Sequence, residues 1–267
     1  MSGAVELHHV EDGSLEGAPL VLSSSLGTTH AMWEPQRLAL SAEHRLIRYD
    51  HRGHGASPVP PGDYSIEQLG ADAIALLDHL AVPATAWCGI SLGGMVGLWL
   101  AINAPARVER LIVICSSAHA PPPSRWLERA AAVRKAGSTE AVADAVLERW
   151  FTAGFAKASP QAVETAAAML RATPAEGYAG SCAAVARLDL RDGLSRIAVP
   201  TLVISAAQDT ALPPEHGRAI ADAIPGARFE LVAQAAHLAT IEQADAINSV
   251  ISEYLAGARP AAPSTYA

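Results

Sequence analysis

Between Ala84 and Asn103 the chain reads ATAWCGISLGGMVGLWLAIN, and this stretch limits the possible folds more than any other. A short apolar run, Ala84 to Cys88, reaches Gly89. Ile90, Ser91, Leu92, Gly93 and Gly94 then lead into an apolar segment at helical spacing. A G-x-S-x-G pentapeptide between a strand and a helix sets its serine on a sharp turn, with strained backbone and an exposed hydroxyl. The glycines are needed because a Cβ beside that turn would meet the neighbouring strand or helix. The amide of Leu92 would stand in the first helical turn, where N–H groups lack intrahelical partners and the dipole favours a developing anion. Five residues alone are equally compatible with a glycine-rich turn capped by a serine, so the rest of the chain has to decide.

Strand and helix signals alternate on both sides of this stretch. Val5 to Val10, Leu20 to Ser24, Leu46 to Tyr49, Arg110 to Cys115, Thr201 to Ser205 and Arg228 to Val232 read as short strands. Arg110 to Cys115 (RLIVIC) is apolar almost throughout, as in a strand buried on both faces of a parallel sheet. Helices are expected over Trp33 to Ala42, Ser65 to Leu80, Pro213 to Ile224 and Ile241 to Leu255. The second opens on a capping box, Ser65 with Gln68. This alternation predicts an α/β fold with a mostly parallel, doubly wound sheet. It breaks at Pro121-Pro122-Pro123, after which the composition turns alanine-rich with no strand signal. Four short helices are expected there, at 124–136, 138–151, 160–172 and 174–187. The predicted organisation is therefore a core of residues 1–120 and 191–258, an inserted helical cap at 121–190 over the carboxyl edge of the sheet, and a mobile tail at 259–267.

The chain has 267 residues, half of them hydrophobic and 17% charged, enough for a sizeable core. A net charge of −8 argues against nucleic acid or an anionic membrane surface as partner. The N-terminal MSGAVELHHVEDG has no apolar core of a signal peptide, and no stretch is apolar for long enough to span a bilayer. Cys88, Cys115 and Cys182 show neither CxxC nor metal-ligand spacing and read as reduced core residues of a cytoplasmic protein. The loop Asp50-His51-Arg52-Gly53-His54-Gly55 invites a metal reading, but no second cluster completes a site. A structural turn, with Asp50 and Arg52 hydrogen-bonded to backbone, is the better expectation, and no metal or cofactor is called for.

Active sites in open α/β sheets form beyond the carboxyl ends of the strands. Two polar residues qualify there. Asp209 follows the strand TLVIS, and His237 follows RFELV. The chain order serine, aspartate, histidine is that of a nucleophile elbow with its two partners. Asp209 could instead cap the next helix, although it lies far from the first turn for that purpose, and His237 could be a solvated loop histidine. His119, after the strand ending at Cys115, is a further candidate for the pocket wall. On this reading Ser91 Oγ attacks an acyl carbon and His237 takes its proton and later activates water. Asp209 fixes the imidazole tautomer. The amides of Leu26 and Leu92 are the expected oxyanion donors.

The chain resembles the 3-oxoadipate enol-lactonase family of α/β-hydrolases over about residues 5 to 256. The matching stretches are SSSLGTTHAMWEPQ, RYDHRGHGASPVPPGDYSIEQLGADAIALLDHL, CGISLGGMVGLWLA, ADAVLERWFT, ATPAEGYAGSCAAVARLDLRD and PPEHGRAIADAIPGA. RGHG and GISLGG are common to many α/β-hydrolases; SLGT followed by MW, RWFT, and the GYAG-CAA block are more discriminating. The family's loop resembles Ser-Asn-Ser-Leu-Gly, from which Ser24 departs. The resemblance implies hydrolysis of an unsaturated five-membered lactone bearing a carboxymethyl group, giving 3-oxoadipate in aromatic-acid catabolism, without metal or organic cofactor. An anionic substrate then needs a local cation, for which Arg129 or Arg134 is expected, with Trp126 and Trp150 as pocket walls. Solvated arginines and tryptophans that merely anchor the cap are the plainer alternative. Competing functions are a general carboxylesterase or perhydrolase on the same scaffold, and a ligand sensor that keeps the three residues. A dehalogenase would need aspartate where Ser91 stands.

Overall fold

The computed structural model describes residues 3–257. Seven strands form one sheet in the order β1-β3-β2-β4-β5-β6-β7: β1 His9–Asp12, β2 Ala18–Ser23, β3 His44–Tyr49, β4 Thr85–Ile90, β5 Val108–Ile114, β6 Thr201–Ala206 and β7 Arg228–Val232. Every pair is parallel except β1 with β3. Strands β4 and β6 are buried at all positions, which is why their sequences carry no polar alternation. The predicted doubly wound fold is what the chain adopts.

Strand β1 lies later than expected. The apolar signal at Val5 to Val10 misleads because pairing uses the polar residues after it. Glu11 and Asp12 lie on the edge opposite β3, where Arg45 and Arg48 meet them at 2.5 and 2.7 Å. Val5 instead donates its N–H to Asp72 (2.8 Å).

The core helices are α1 Glu34–Leu40, α2 Ile66–His79 and α3 Leu92–Asn103. The α1 segment begins with a 3-10 turn, His30–Trp33, rather than as one helix from Trp33. The Ser65/Gln68 capping box opens α2 as predicted.

Between β5 and β6 the chain makes five α-helices, not four: α4 Pro123–Ala136, α5 Ala143–Trp150, α6 Ala153–Ala158, α7 Pro160–Ala172 and α8 Ala175–Ala186. The additional break comes where Phe151 turns extended and Thr152 caps a new helix through the N–H of Phe155. Three more helices, α9 Pro214–Ala223, α10 Ala239–Glu242 and α11 Ala244–Ala256, complete the described residues. The expected single helix from Ile241 is interrupted at Gln243, whose φ of −124° and ψ of 50° are not helical. The tail expected at 259–267 lies outside the described residues.

One seam joins the insertion to the core. Gly177 in α8 and Gly53 in the loop after β3 touch backbone to backbone, and a Cβ on Gly177 would lie 2.0 Å from the Gly53 carbonyl oxygen. Beside them Tyr64 N–H donates to the Gly180 carbonyl (3.1 Å) and Gly62 N–H to Glu176 (2.7 Å).

Candidate active site

The turn between β4 and α3 is built by close approach. Ser91 sits at φ 54°, a left-handed conformation rare for a non-glycine residue. A Cβ on Gly89 would fall 2.2 Å from the Gly93 carbonyl oxygen, and one on Gly93 2.1 Å from that of Ser23. The serine side chain makes no capping bond, which removes the alternative of a capping serine. Its backbone is held by Ser91 N–H to Ile114 O (2.9 Å) and Ser116 Oγ to Ser91 O (2.7 Å). Trp87 Nε1 donates to Gly93 O (3.0 Å), tying the strand to the first helical turn.

The three residues picked from strand ends converge. His237 Nε2 lies 2.9 Å from Ser91 Oγ, and His237 Nδ1 lies 2.7 Å from Asp209 Oδ2. All three are buried. With Nδ1 facing a carboxylate, the ring proton belongs on Nδ1, which leaves the Nε2 lone pair to accept from the serine hydroxyl. Asp209 does not cap the next helix, whose N-cap residue is Pro213, but it does brace its own turn. Its Oδ1 accepts from the N–H groups of Ala211 and Leu212 at 2.8 and 2.9 Å. One carboxylate thus fixes both its own loop and the imidazole.

Neither Leu26 nor Leu92 donates its amide to a protein acceptor among the described residues. Two histidines splint the loop that carries Leu26. His51 Nε2–H donates to Ser24 O (3.1 Å), while His54 Nδ1–H donates to Arg52 O (3.1 Å) and His54 Nε2 accepts from Gly27 N–H (3.0 Å). Burial, and next the neighbouring His54, push His51 down to about 3; burial lowers His54 as well. Both rings are neutral splints at neutral pH.

Asp50 accepts from the backbone N–H groups of His30 (2.7 Å) and Ala56 (3.0 Å), as expected. Arg52 departs from expectation, because its main partner is the buried Asp72 carboxylate (2.5 and 2.6 Å) and not backbone. The side chains of His8 and His30 also reach Asp50, and these three are the described residues whose ligand atoms crowd within 4.8 Å as a metal site requires. No motif pointed to that cluster, since His8 lies just before β1 and His30 opens the 3-10 turn before α1. Burial opposes ionisation of Asp50, but hydrogen bonds from His30 and Ala56 outweigh it and lower its carboxyl to about 2.

A buried glutamate supports the histidine loop. Glu242 accepts from Ala236 N–H (2.9 Å) and from Thr152 N–H (3.3 Å), and lies against the Thr152 hydroxyl. Leu238 N–H donates to Trp150 O (3.0 Å), so the end of α5 and the loop bearing His237 are stitched together.

Trp126, Arg129 and Trp150 line the pocket above Ser91 and His237, with Arg125, Arg149 and Tyr178. Arg134 does not. It is on the surface, paired with Asp63 (2.9 Å) and Glu176 (3.0 Å). At 100° per residue it stands about 140° round the helix from Arg129. Arg125, one turn before Arg129, shares its face, and that i,i+4 spacing was the available signal for it. His119 is also outside this pocket. Its Nδ1–H donates to Leu188 O (3.1 Å), and it lines a separate cavity of about 430 Å³ with His216 and Arg191. The cavity over Ser91 measures only about 30 Å³, room for a water or two.

An alpha/beta hydrolase fold model matches residues 18–244. The chain belongs to that family. Among its relatives, 3-oxoadipate enol-lactonase 2 of Acinetobacter baylyi is 41% identical over 247 residues, covering 92% of each chain. The solved enol-lactonase from Burkholderia xenovorans is 41% identical with a TM-score of 0.91, covering 93% of this chain and 96% of that one. A thermophilic esterase from Thermogutta terrifontis, solved with malate bound, is 28% identical with a TM-score of 0.90, covering 96% and 95%. The enol-lactonase resemblance read from the sequence is borne out, and this α/β-hydrolase is a hydrolase enzyme.

Proposed function

We propose that the protein hydrolyses 3-oxoadipate enol-lactone to 3-oxoadipate through an acyl-enzyme on Ser91. The observation that carries this reading is the Ser91–His237–Asp209 chain of hydrogen bonds beneath a pocket lined by arginine and tryptophan. His237 draws the proton from Ser91 as Oγ attacks the lactone carbonyl. Asp209 holds the ring and stabilises its positive charge, and the amides of Leu26 and Leu92 receive the oxyanion. Arg129, 5.0 Å over the Trp126 ring, holds the substrate carboxylate, with Trp126 and Trp150 as walls. The kinship to enol-lactonases supports the choice of substrate.

No cofactor enters this scheme, and the partner is a small anionic lactone, not nucleic acid or a membrane surface. No described helix is long and apolar enough to cross a membrane. Three buried free cysteines accord with a cytoplasmic location, which belongs to the same proposal.

The deciding experiment follows the ultraviolet absorbance of authentic enol-lactone and compares its kcat/KM with that for neutral p-nitrophenyl esters. Preference for the lactone is expected. A wide preference for neutral esters makes the protein a general esterase, and a single slow turnover with a lasting adduct makes it a sensor.

A further inference from the structure

Arg125, Arg129 and Arg149 bring three guanidinium groups to one pocket wall. No acidic side chain lines that pocket, and none of the three forms an ion pair among the described residues. Gathering like charges in a partly dry cleft is costly unless anions answer them. Arg129 and Arg125 both lie over the Trp126 ring, at 5.0 and 5.4 Å from its centre. Of the three, Arg125 alone has a buried nitrogen, Nε, without a partner among the described residues, and its one hydrogen bond, to Ala211 O, is long at 3.4 Å. Burial, then Arg149 and Arg129, push its guanidinium below the usual range. The substrate of the proposed reaction carries a single carboxylate, too little to answer this wall.

Ring opening creates the missing charge. The Ser91 Oγ–carbon bond forms, the hydroxyl proton passes to His237, and the ring C–O bond breaks with its electron pair going to the ring oxygen. That oxygen is now an enolate, tethered to the acyl group close to the carboxylate already present. Protonation at carbon by His237 gives the ketone. Water then attacks the acyl carbon as His237 takes its proton, the carbon–Oγ bond breaks with that proton returning from His237 to Ser91 Oγ, and the released acid gives its own proton to solvent and leaves as a dicarboxylate.

We propose that the pocket is a dianion site in which Arg129 holds the carboxylate of the lactone and Arg125 takes the second negative charge, met first as the enolate and carried by the product as its second carboxylate. This rests on the enol-lactonase reading and adds to it that positive charge in the wall serves the opened substrate more than the closed one. Arg125 would then raise kcat and leave KM nearly alone, because it contributes where charge appears.

The test measures calorimetric binding of adipate and of its monomethyl ester to the Ser91→Ala protein. Adipate should bind at least about tenfold more tightly, and Arg125→Met in that background should reduce the preference to within about threefold. With Ser91 intact, Arg125→Met should lower kcat for the lactone about tenfold or more while KM moves less than about threefold. Equal binding of the diacid and its monoester overturns the proposal, as does an Arg125→Met enzyme whose only defect is a raised KM. Arg125→Gln replaces the methionine variant should that one unfold, and the adipate preference of the Ser91→Ala protein decides by itself should both unfold. A protein that prefers adipate but turns over no enol-lactone disproves the proposed reaction and keeps the dianion site; brisk lactone turnover without that preference does the reverse.

Discussion

Ser91 holds a backbone conformation that an unconstrained serine would leave, and it does so because Gly89 and Gly93 let strand, helix and neighbouring strand close around it. The strain is therefore borne by the surroundings, and the side chain can be changed without relaxing the turn. Ser91→Ala and His237→Ala should each keep the thermal midpoint within a few degrees and lower kcat by about 10⁵-fold or more, while Asp209→Asn should cost about 10⁴. Stopped assays of the purified variants beside their melting curves check this; an Ser91→Ala protein with a tenth of the activity would remove the serine from the mechanism. At this scale the sequence was most readable. Ser91, Asp209 and His237 were found because each follows a strand of recognisable composition. Arg134 was misplaced because charge on a helix says nothing of facing, which only the position of the buried Trp126, Ala130 and Val133 stripe settles. Glu242 and the His8–His30–Asp50 group could not be read, since their partners come together only through the fold.

The loop from Asp50 to Ser57 is braced by two buried histidines. His51 and His54 are buried as neutral rings, and in the unfolded chain they would titrate near 6.5. The unfolded state therefore binds more protons below that pH, and stability must fall as pH drops from about 6.5 toward 3. Each histidine contributes a slope of about 1.4 kcal/mol per pH unit over the window in which only the unfolded form is protonated. Urea midpoints at pH 7.5 and 5.5 should differ accordingly, and His51→Gln should flatten the dependence; a midpoint that does not move between those pH values refutes the brace. The segment around Glu242 acts on the other side of the site. Glu242→Ala strands the Ala236 N–H, a loss of about 1–3 kcal/mol, and frees the loop bearing His237. Its kcat should fall more steeply than its melting temperature, while Glu242→Gln, which keeps an acceptor, should recover part of the rate. Equal activity in both variants would show the glutamate to be passive.

Across the whole molecule, the mostly parallel sheet and the strand-free stretch between β5 and β6 follow from the alternation of strand and helix, but the order of the strands and the finer divisions do not. The break at Phe151 and the one at Gln243 are single-residue backbone departures inside otherwise helical composition. Strand β1 was misread because an edge strand pairs through its backbone and tolerates charge, here answered by Arg45 and Arg48. The insertion itself is unevenly held. Helix α8 is buried at ten of its twelve positions, Gly177 to Ala186, whereas α4 buries only Trp126, Ala130 and Val133. The ion pairs of Arg134 that tether α4 are exposed and worth little. Amide hydrogen exchange should therefore run faster in α4 than in α8, and equal protection of the two would contradict an opening on the α4 side. The cavity of about 30 Å³ over Ser91 is smaller than a five-membered lactone, so the proposed substrate would enter through such an opening.

The contact of Gly177 with Gly53 gives that asymmetry a practical meaning. Two segments whose main-chain atoms touch leave no slack for sliding, so if exchange runs faster in α4 as expected, α8 would be the doorpost and α4 the door. An engineer wishing to admit bulkier acids would redraw the door and leave the post untouched, since any side chain added at position 177 would prise the frame from the wall before it widened the entrance.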